Sequence, residues 1–589
     1  MEKAILSGNE AIARGAFEAG VRVASAYPGT PSTEILETIV HYPEIDASWA
    51  PNEKVALEVG IGASFAGARA LVAMKHVGVN VAADPLFTFA YTGVGGGLVL
   101  ITADDPEMHS SQNEQDNRNY ARFAKVPMLE PADSQECKDF TRLALELAEE
   151  YDTPVMLRTT TRISHSKSVV NLGERVTGLP EPRLEKNAAK LVMLPGNARR
   201  RHPLVEARQE RLAAAGATMA INRLEARGPE LGVITSGVCY NYVREVLPGA
   251  SVLKLGLVNP LPKELIRRFA AQVKTLIVVE ELDPFIEEQV RAMGLACHGK
   301  DLLPICGELT PGLLRKAFAA AGFPVSAGLE ELATAPQLPP RPPNMCPGCP
   351  HRGIFYTLKQ LKAYVSGDIG CYTLGGLPPI SAMHSSICMG ASISAAHGMA
   401  KVNGIAGRTE KPVAVIGDST FFHSGMTGLL SLAYNNGNAL VVIMDNRATA
   451  MTGGQENPGS GRVLEGEPAK QVDITAIVKA LGIDQVAGID SYNLEETEAA
   501  IRKGLETPGP YVLIDKNPCI LRYRVKKPLL SVDADKCTGC RACLKVTCVA
   551  LGLVPFGDKQ KVQIDPNICN GCGVCSQVCK FDAMSVRQG

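Results

Sequence analysis

The sequence predicts a multi-domain α/β protein that ends in a small cysteine-rich, metal-binding module. Strand-like apolar runs alternate with helical segments from residue 1 to about 165 and again from 231 to about 323, the pattern of parallel sheets covered by helices. A stiff Pro-rich stretch at 335–343 marks a boundary, after which a third α/β segment runs to about 518. Last, eight cysteines between Cys537 and Cys579 fall at metal-ligand spacing.

The bulk properties narrow the function classes. A chain of 589 residues has room for roughly three to five domains. Its 60 basic and 61 acidic residues leave a net charge of -1, and neither sign gathers in a tail, so nothing electrostatic argues for nucleic acid. The first residues lack the apolar centre of a signal peptide, and no apolar run reaches the roughly eighteen residues of a membrane helix. The expectation is a soluble, cytoplasmic protein whose 17 cysteines sit in a reducing compartment.

In chain order, a helix is expected over 9–19 and a strand over 21–26, which runs into Tyr27, Pro28, Gly29, Thr30, Pro31 and Ser32. A strand ending in Pro and Gly before a cap-rich helix start is the turn at which α/β sheets collect ligands. Asn52 and Glu53 then open a Gly/Ala-rich helix, followed by a strand over 70–75 and a loop over 76–80 that begins with His76. The glycines at 93–97 are too weak a signal for a dinucleotide site. The polar loop at 103–116 is long enough to form the wall of a site. Residues 172–227 lose the alternation and read as a linker with one exposed helix, its basic cluster Arg199, Arg200, Arg201 and His202 on a solvated face. The second α/β segment, with strands at 231–237, 251–255 and 275–280, carries little catalytic vocabulary and reads as scaffold or interface.

The third segment carries the chemistry. A buried strand ends in Gly417, Asp418 and Ser419, and the strand after it ends in Asp445 and Asn446. Asp418 and Asn446 therefore stand at the C-terminal ends of neighbouring parallel strands. One carboxylate and one amide oxygen, with positions left for phosphate oxygens, suit Mg2+. Gly417 lets the backbone approach a phosphate, and the helix start after it adds N–H donors. A basic joint at 522–527 leads to the cysteine module.

In that module, Cys537, Cys540 and Cys543 are followed by Cys548, and Cys569, Cys572 and Cys575 by Cys579. The two C-x2-C-x2-C runs resemble a bacterial-type ferredoxin with two 4Fe-4S clusters. In that pattern the last cysteine of each run serves the opposite cluster, so the resemblance assigns Cys537, Cys540, Cys543 and Cys579 to one. Cys548, Cys569, Cys572 and Cys575 hold the other. The first run departs from the pattern, with four residues before Cys548 where three are usual, and Val549 and Lys580 stand where proline is expected. The alternatives are structural zinc or disulfides, although all-cysteine zinc sites come as separated C-x2-C pairs.

Gly417 and Asp418, with Asn446 at the next strand end and Thr452 to Gln455 beyond, resemble the thiamine diphosphate motif. That resemblance implies Mg2+ held by Asp418, Asn446 and the carbonyl of Ala448, with Gly417 and Ser419 at the cofactor. Glu53 matches the glutamate that acts on the aminopyrimidine ring; taken alone it reads as a first-turn Glu favoured by the helix dipole. Read together, the chain is similar to the 2-oxoacid:ferredoxin oxidoreductases, through the residues at 27–33, Asn52 and Glu53, the loop from His109 to Gln115, Cys346 to His351, Gly417 and Asp418, and the cysteine tail.

The resemblance implies two thiamine-binding-type domains, at 1–170 (pyrimidine) and 346–525 (diphosphate and Mg2+), with a linker region at 171–228. It also implies a transketolase C-terminal-like α/β domain at 229–334, a Pro-rich linker at 335–345 and a ferredoxin domain at 526–589. The implied activity is oxidative decarboxylation of arylpyruvates, indolepyruvate among them, with coenzyme A, giving arylacetyl-CoA, CO2 and reduced ferredoxin. Thr30 then lies near the substrate carboxylate, with His76 in the same pocket. A smaller beta subunit is implied as partner. Cys346, Cys349, Cys371 and Cys519 stand where related oxidoreductases hold a cluster near thiamine, although Cys346-Pro-Gly-Cys349 also reads as an inert turn, and a third cluster stays open. Three other readings stay open: a family member acting on another 2-oxoacid, a non-oxidative thiamine decarboxylase with an accessory cluster domain, and an electron-transfer subunit that has lost activity.

Overall fold

In a computed structural model, the described residues are 2–183, 186–328, 338–339, 342–523 and 527–587. Most of the Pro-rich stretch at 335–343 and part of the basic joint at 522–527 lie outside them. The chain divides into two compact units, Met1–Pro336 and Gln337–Gly589. No helix among the described residues is long and apolar enough to cross a membrane.

The first unit is built on a seven-stranded sheet in the order Leu257–Asn259, Met128–Leu129, Val155–Thr160, Leu98–Asp104, Ala70–Lys75, Val23–Ala26, Asp46–Trp49. All pairs are parallel except the first, which is antiparallel. Ala70–Lys75, Leu98–Asp104 and Val155–Thr160 are buried at every position, as strands covered on both faces must be. The first long helix, Gly8–Glu18, starts in a capping box between Ser7 and Glu10, which satisfies its free N–H groups. A second sheet sets Thr275–Val279, Leu231–Ser236 and Ser251–Leu255 in parallel, with Arg223–Glu225 antiparallel at its edge. The edge strand Leu257–Asn259 leaves this second sheet to join the first, so the two α/β segments share one apolar core.

Two sequence expectations change in this unit. Residues 76–80, read as a loop, form the helix His76–Val81; the β-branched residues and Gly78 disfavour a helix locally, and burial of His76, Gly78 and Val79 overrides that preference. The helix expected to be exposed, Pro195–Gly216, buries Val205, Arg208, Leu212 and Gly216. Of its basic cluster, Arg199, Arg200 and His202 are exposed as expected, and Arg201 is half-buried. Arg201 donates to the carbonyls of Tyr91 and Thr92 and pairs with Asp152, and Arg208 donates to the carbonyls of Ala90 and Asp152. They serve the free carbonyls at the end of the helix Ala83–Thr92, where cations are favoured.

Between the two sheets lies a buried set of charges. Arg158, 1% exposed, donates through Nε to Asp104 (2.7 Å) and through Nη1 to Glu130. Arg118 pairs with Asp116 and, at 2.6 Å, with Glu280 of the second sheet. Burial pushes Asp104 up to about 6 and Glu281 up to about 7.

The second unit carries an all-parallel sheet in the order Val365–Ser366, Val413–Gly417, Leu440–Met444, Tyr511–Asp515, Val486–Ile489. Side chains alternate across it, so Val413, Val415, Leu440 and Val442 enter one core, while Ala414, Ile416, Val441 and Ile443 enter the other. The tail is a small module of two strand pairs, Leu530–Val532 with Met584–Val586 and Leu551–Phe556 with Lys559–Ile564. Its core holds Leu530, Cys543, Val562, Ile564 and Cys575.

Replacing Arg158 by Met would leave Asp104 and Glu130 buried without their cation. The expected loss is about 3–5 kcal/mol, read as a lower urea midpoint for the first unit.

Candidate active site

In the first unit the turn after Val23–Ala26 brings Thr30 beside the end of Ala70–Lys75. Lys75 Nζ donates to the carbonyl of Ser110 at 2.6 Å, and Ser110 Oγ lies 3.4 Å from the carbonyl of Thr30. Asp105 fixes the same loop by accepting from Ser110 N at 2.8 Å. The polar loop therefore lies across the strand ends as an ordered wall. His76 is fully buried, its Nε2 3.3 Å from the carbonyl of Asn113 and its Nδ1 without a hydrogen-bond partner among the described residues. Burial, with the Lys75 charge adding to it, pushes His76 down to about 4, so the imidazole is neutral. Burial pushes Lys75 down to about 8.

Glu53 is the first residue of the helix Glu53–Phe65, capped by Asn52, and is 5% exposed. Its side chain packs on Gly78: a Cβ there would lie 2.6 Å from Glu53 Cγ and 2.8 Å from Oε1. Glu53, Thr30 and His76 thus gather around the turn from Lys75 to Gly78. Sequence reasoning missed Lys75, whose only signal is its place as the last, buried residue of a strand.

In the second unit Gly417 pairs with Met444, and Met444 with Asp515, so these strands end level with one another. Asp418, 1% exposed, accepts from Asn457 Nδ2 at 2.9 Å. Burial, reinforced by Asp445, pushes its carboxyl up to about 7. Asn446 Oδ1 accepts from Ala448 N at 3.1 Å, and Asn446 Nδ2 lies 3.3 Å from His351 Nε2. Ser419 Oγ is 2.9 Å from Thr449 Oγ1. Asn457 was not legible in the sequence. Two buried carboxyl groups raised in this way, beside amide and carbonyl oxygens, form a donor set that a hard divalent cation stabilises. The residues present fit Mg2+ and a diphosphate.

The same unit gathers all its cysteines but the exposed Cys388 in three places. Cys346, Cys349, Cys371 and Cys519 feel one another's charge: Cys371 is pushed up to about 11 by burial and then by Cys519 and Cys346. Cys519 N donates to the carbonyl of Asn446 at 2.9 Å, which ties this group to the strand-end site. In the tail, Cys537, Cys540, Cys543 and Cys579 line one cavity; Cys548, Cys569, Cys572 and Cys575 line another. Among the described residues no three cysteines bring their sulfurs within 4.8 Å of one another.

These features define a class, the thiamine diphosphate-dependent oxidoreductases with an iron–sulfur module. The family described as "Pyruvate flavodoxin/ferredoxin oxidoreductase, thiamine diP-bdg" matches residues 14–215. "Thiamine pyrophosphate enzyme, C-terminal TPP binding domain" matches 368–514, and "4Fe-4S binding domain" matches 562–585.

Among individual proteins, the indolepyruvate oxidoreductase subunit IorA of Pyrococcus horikoshii is 41% identical over 638 residues, covering 100% of this chain and 98% of that protein. Its counterpart in Archaeoglobus fulgidus is 42% identical, covering 98% of this chain and 96% of the relative. That of Methanothermobacter thermautotrophicus is 41% identical, covering 99% and 97%. The chain belongs to the family of indolepyruvate oxidoreductase IorA subunits. A solved 2-oxoglutarate:ferredoxin oxidoreductase from Magnetococcus marinus overlaps 54% of this chain and 65% of its own, at 19% identity and a TM-score of 0.45.

Gly78→Ala would add the methyl group that Glu53 excludes. Turnover is expected to fall at least tenfold with the far-UV spectrum unchanged; full activity in a folded variant would show that Glu53 needs no such fixed position.

Proposed function

We propose that the chain is the large subunit of an enzyme that oxidatively decarboxylates arylpyruvates, indolepyruvate among them, with coenzyme A, yielding arylacetyl-CoA, CO2 and reduced ferredoxin. The observation that carries the reading is that one compact unit holds both a thiamine-type acidic strand-end site and eight cysteines in two four-cysteine cavities. The names of the full-length relatives support the substrate class.

Each residue then has a stated task. Asp418, Asn446 and the carbonyl of Ala448 hold Mg2+, while Gly417 and Ser419 lie at the diphosphate. Thiamine diphosphate, when bound, supplies the electron sink that lets the carboxylate leave as CO2. Glu53 holds the proton on the aminopyrimidine ring. Thr30 and neutral His76 orient the 2-oxoacid, and Lys75 adds positive charge beside its carboxylate. Cys537, Cys540, Cys543 and Cys579 hold one 4Fe-4S cluster, and Cys548, Cys569, Cys572 and Cys575 the second. Cys346, Cys349, Cys371 and Cys519 hold a third, next to Asn446. The domain bounds given for the sequence belong to the same proposal. So do the smaller beta subunit, ferredoxin as acceptor, and the cytoplasm as the setting.

The test is an anaerobic assay of the chain with its partner subunit on indolepyruvate, phenylpyruvate and pyruvate, with coenzyme A and a low-potential acceptor. The two aryl substrates should turn over repeatedly only when the acceptor is present; CO2 release that continues through many turnovers without it would overturn the oxidative reading. Glu53→Gln should retain thiamine and lose on the order of 100-fold to 10,000-fold in rate, the scale of a positioned proton-transfer group.

A further inference from the structure

Arg352 is a buried cation that the scheme above leaves without a role. It lies in the first turn of the helix His351–Gln360, directly after the turn that holds Cys346 and Cys349, and is 2% exposed. Its Nη2 donates to the carbonyls of Met345 (2.6 Å) and Cys346 (3.1 Å). Its Nη1 donates to the carbonyls of Val546 (3.2 Å) and Thr547 (2.7 Å) and to Thr547 Oγ1 (2.9 Å). One guanidinium therefore ties the first cysteine turn to the residues just before Cys548.

The link also bears on the odd spacing of the first tail run. Thr547, immediately before the late Cys548, takes a left-handed backbone, φ 61°, and gives Arg352 two acceptors. The two segments are in close contact elsewhere: a Cβ on Gly348 would lie 1.9 Å from Asn570 Nδ2. Tyr492 reinforces the joint, its hydroxyl donating to the carbonyl of Gly348 at 2.8 Å and its carbonyl accepting from Gln577 Nε2 at 2.7 Å.

The remaining donor of Arg352 is unmatched. Its Nε is buried and has no hydrogen-bond partner among the described residues, although buried N–H groups are almost always paired. The same side chain lines the cavity of Cys548, Cys569, Cys572 and Cys575. The other tail cavity differs. The arginine in its lining, Arg541, is exposed, with Nη2 donating to Gln560 Oε1 at 3.1 Å.

We propose that Arg352 donates its Nε–H to a sulfur of the cluster held by Cys548, Cys569, Cys572 and Cys575, and so sets that cluster's potential above that of its neighbour in the tail. A cluster becomes more negative on reduction, so an N–H donor and a nearby cation both stabilise the reduced form and raise the potential. The cluster takes up one electron from the oxidation of the substrate and passes it on; no bond is made or broken, and Arg352 keeps its proton. Arg352 is thus a positioning residue for the electron path. Arg352 is in the lining of this cavity and not of the other one in the tail, which makes the effect selective between the two.

The inference rests on the two-cluster reading of the tail, and the experiment separates the two. Wild type, Arg352→Gln and Arg352→Lys are purified anaerobically as full-length protein, iron and labile sulfide are counted, and each is titrated by potential with electron paramagnetic resonance detection. A Cys371→Ser variant, which takes the group next to Asn446 out of the count, holding fewer than two clusters per chain overturns the two-cluster reading and the arginine's role with it. With iron complete, Arg352→Gln should shift one tail reduction equilibrium at least tenfold toward the oxidised form, about 59 mV for a one-electron couple. The other tail midpoint should stay put, and Arg352→Lys should fall in between. Unchanged midpoints, or an equal shift in both, overturn the proposal. Where Arg352→Gln sheds iron, Arg352→Lys decides by the same criterion: a fall in one midpoint supports the proposal, and none overturns it.

Discussion

The second unit depends on the in-register parallel pairing of three buried strands, Val413–Gly417, Leu440–Met444 and Tyr511–Asp515. Because they end level, the residues just beyond them, Asp418 and Asn446, have no choice but to stand side by side at one edge of the sheet. A slip of one residue would turn each apolar side chain to the opposite core, and both cores are closed. The register is therefore fixed by apolar burial, and the polar site follows from it. The first unit repeats the logic, with Thr30, Lys75 and the loop at Ser110 meeting where parallel strands stop.

A second theme is buried charge that waits for a partner. Asp418 is pushed up to about 7 by burial and by Asp445, a state a divalent cation relieves. Arg352 Nε and His76 Nδ1 are buried donor or acceptor positions without hydrogen-bond partners among the described residues. Such groups are expensive in a folded core unless a ligand completes them. By contrast, Arg118 has every nitrogen paired, with Asp116, Glu280 and the carbonyls of Glu281 and Asp283. The first kind of charge marks a site; the second fastens two layers together.

Much of this was legible in the sequence because its signals are local. The alternating strands, the Gly417–Asp418 and Asn446 strand ends and the two cysteine runs each lie within a short window. Glu53 needed the family resemblance, since a first-turn Glu after an Asn cap has an adequate local explanation. What stayed hidden depends on distant contacts. The helix His76–Val81 forms against its local propensity because Gly78 must meet Glu53. Arg201 and Arg208 look like a solvated basic face until the carbonyls of residues 90 to 92 are placed beneath them. Lys75, Asn457 and Arg352 carry no motif, and only the folded chain shows what they touch.

The central claim is that electrons released at the thiamine-type site leave through the tail of this same chain. Freeze-quench paramagnetic resonance on the thiamine-loaded enzyme, mixed with indolepyruvate and coenzyme A in the absence of any external acceptor, tests it most directly. The account predicts reduced tail clusters appearing within the time of a single turnover, in step with the first CO2. Release of CO2 with the tail clusters still oxidised would contradict it.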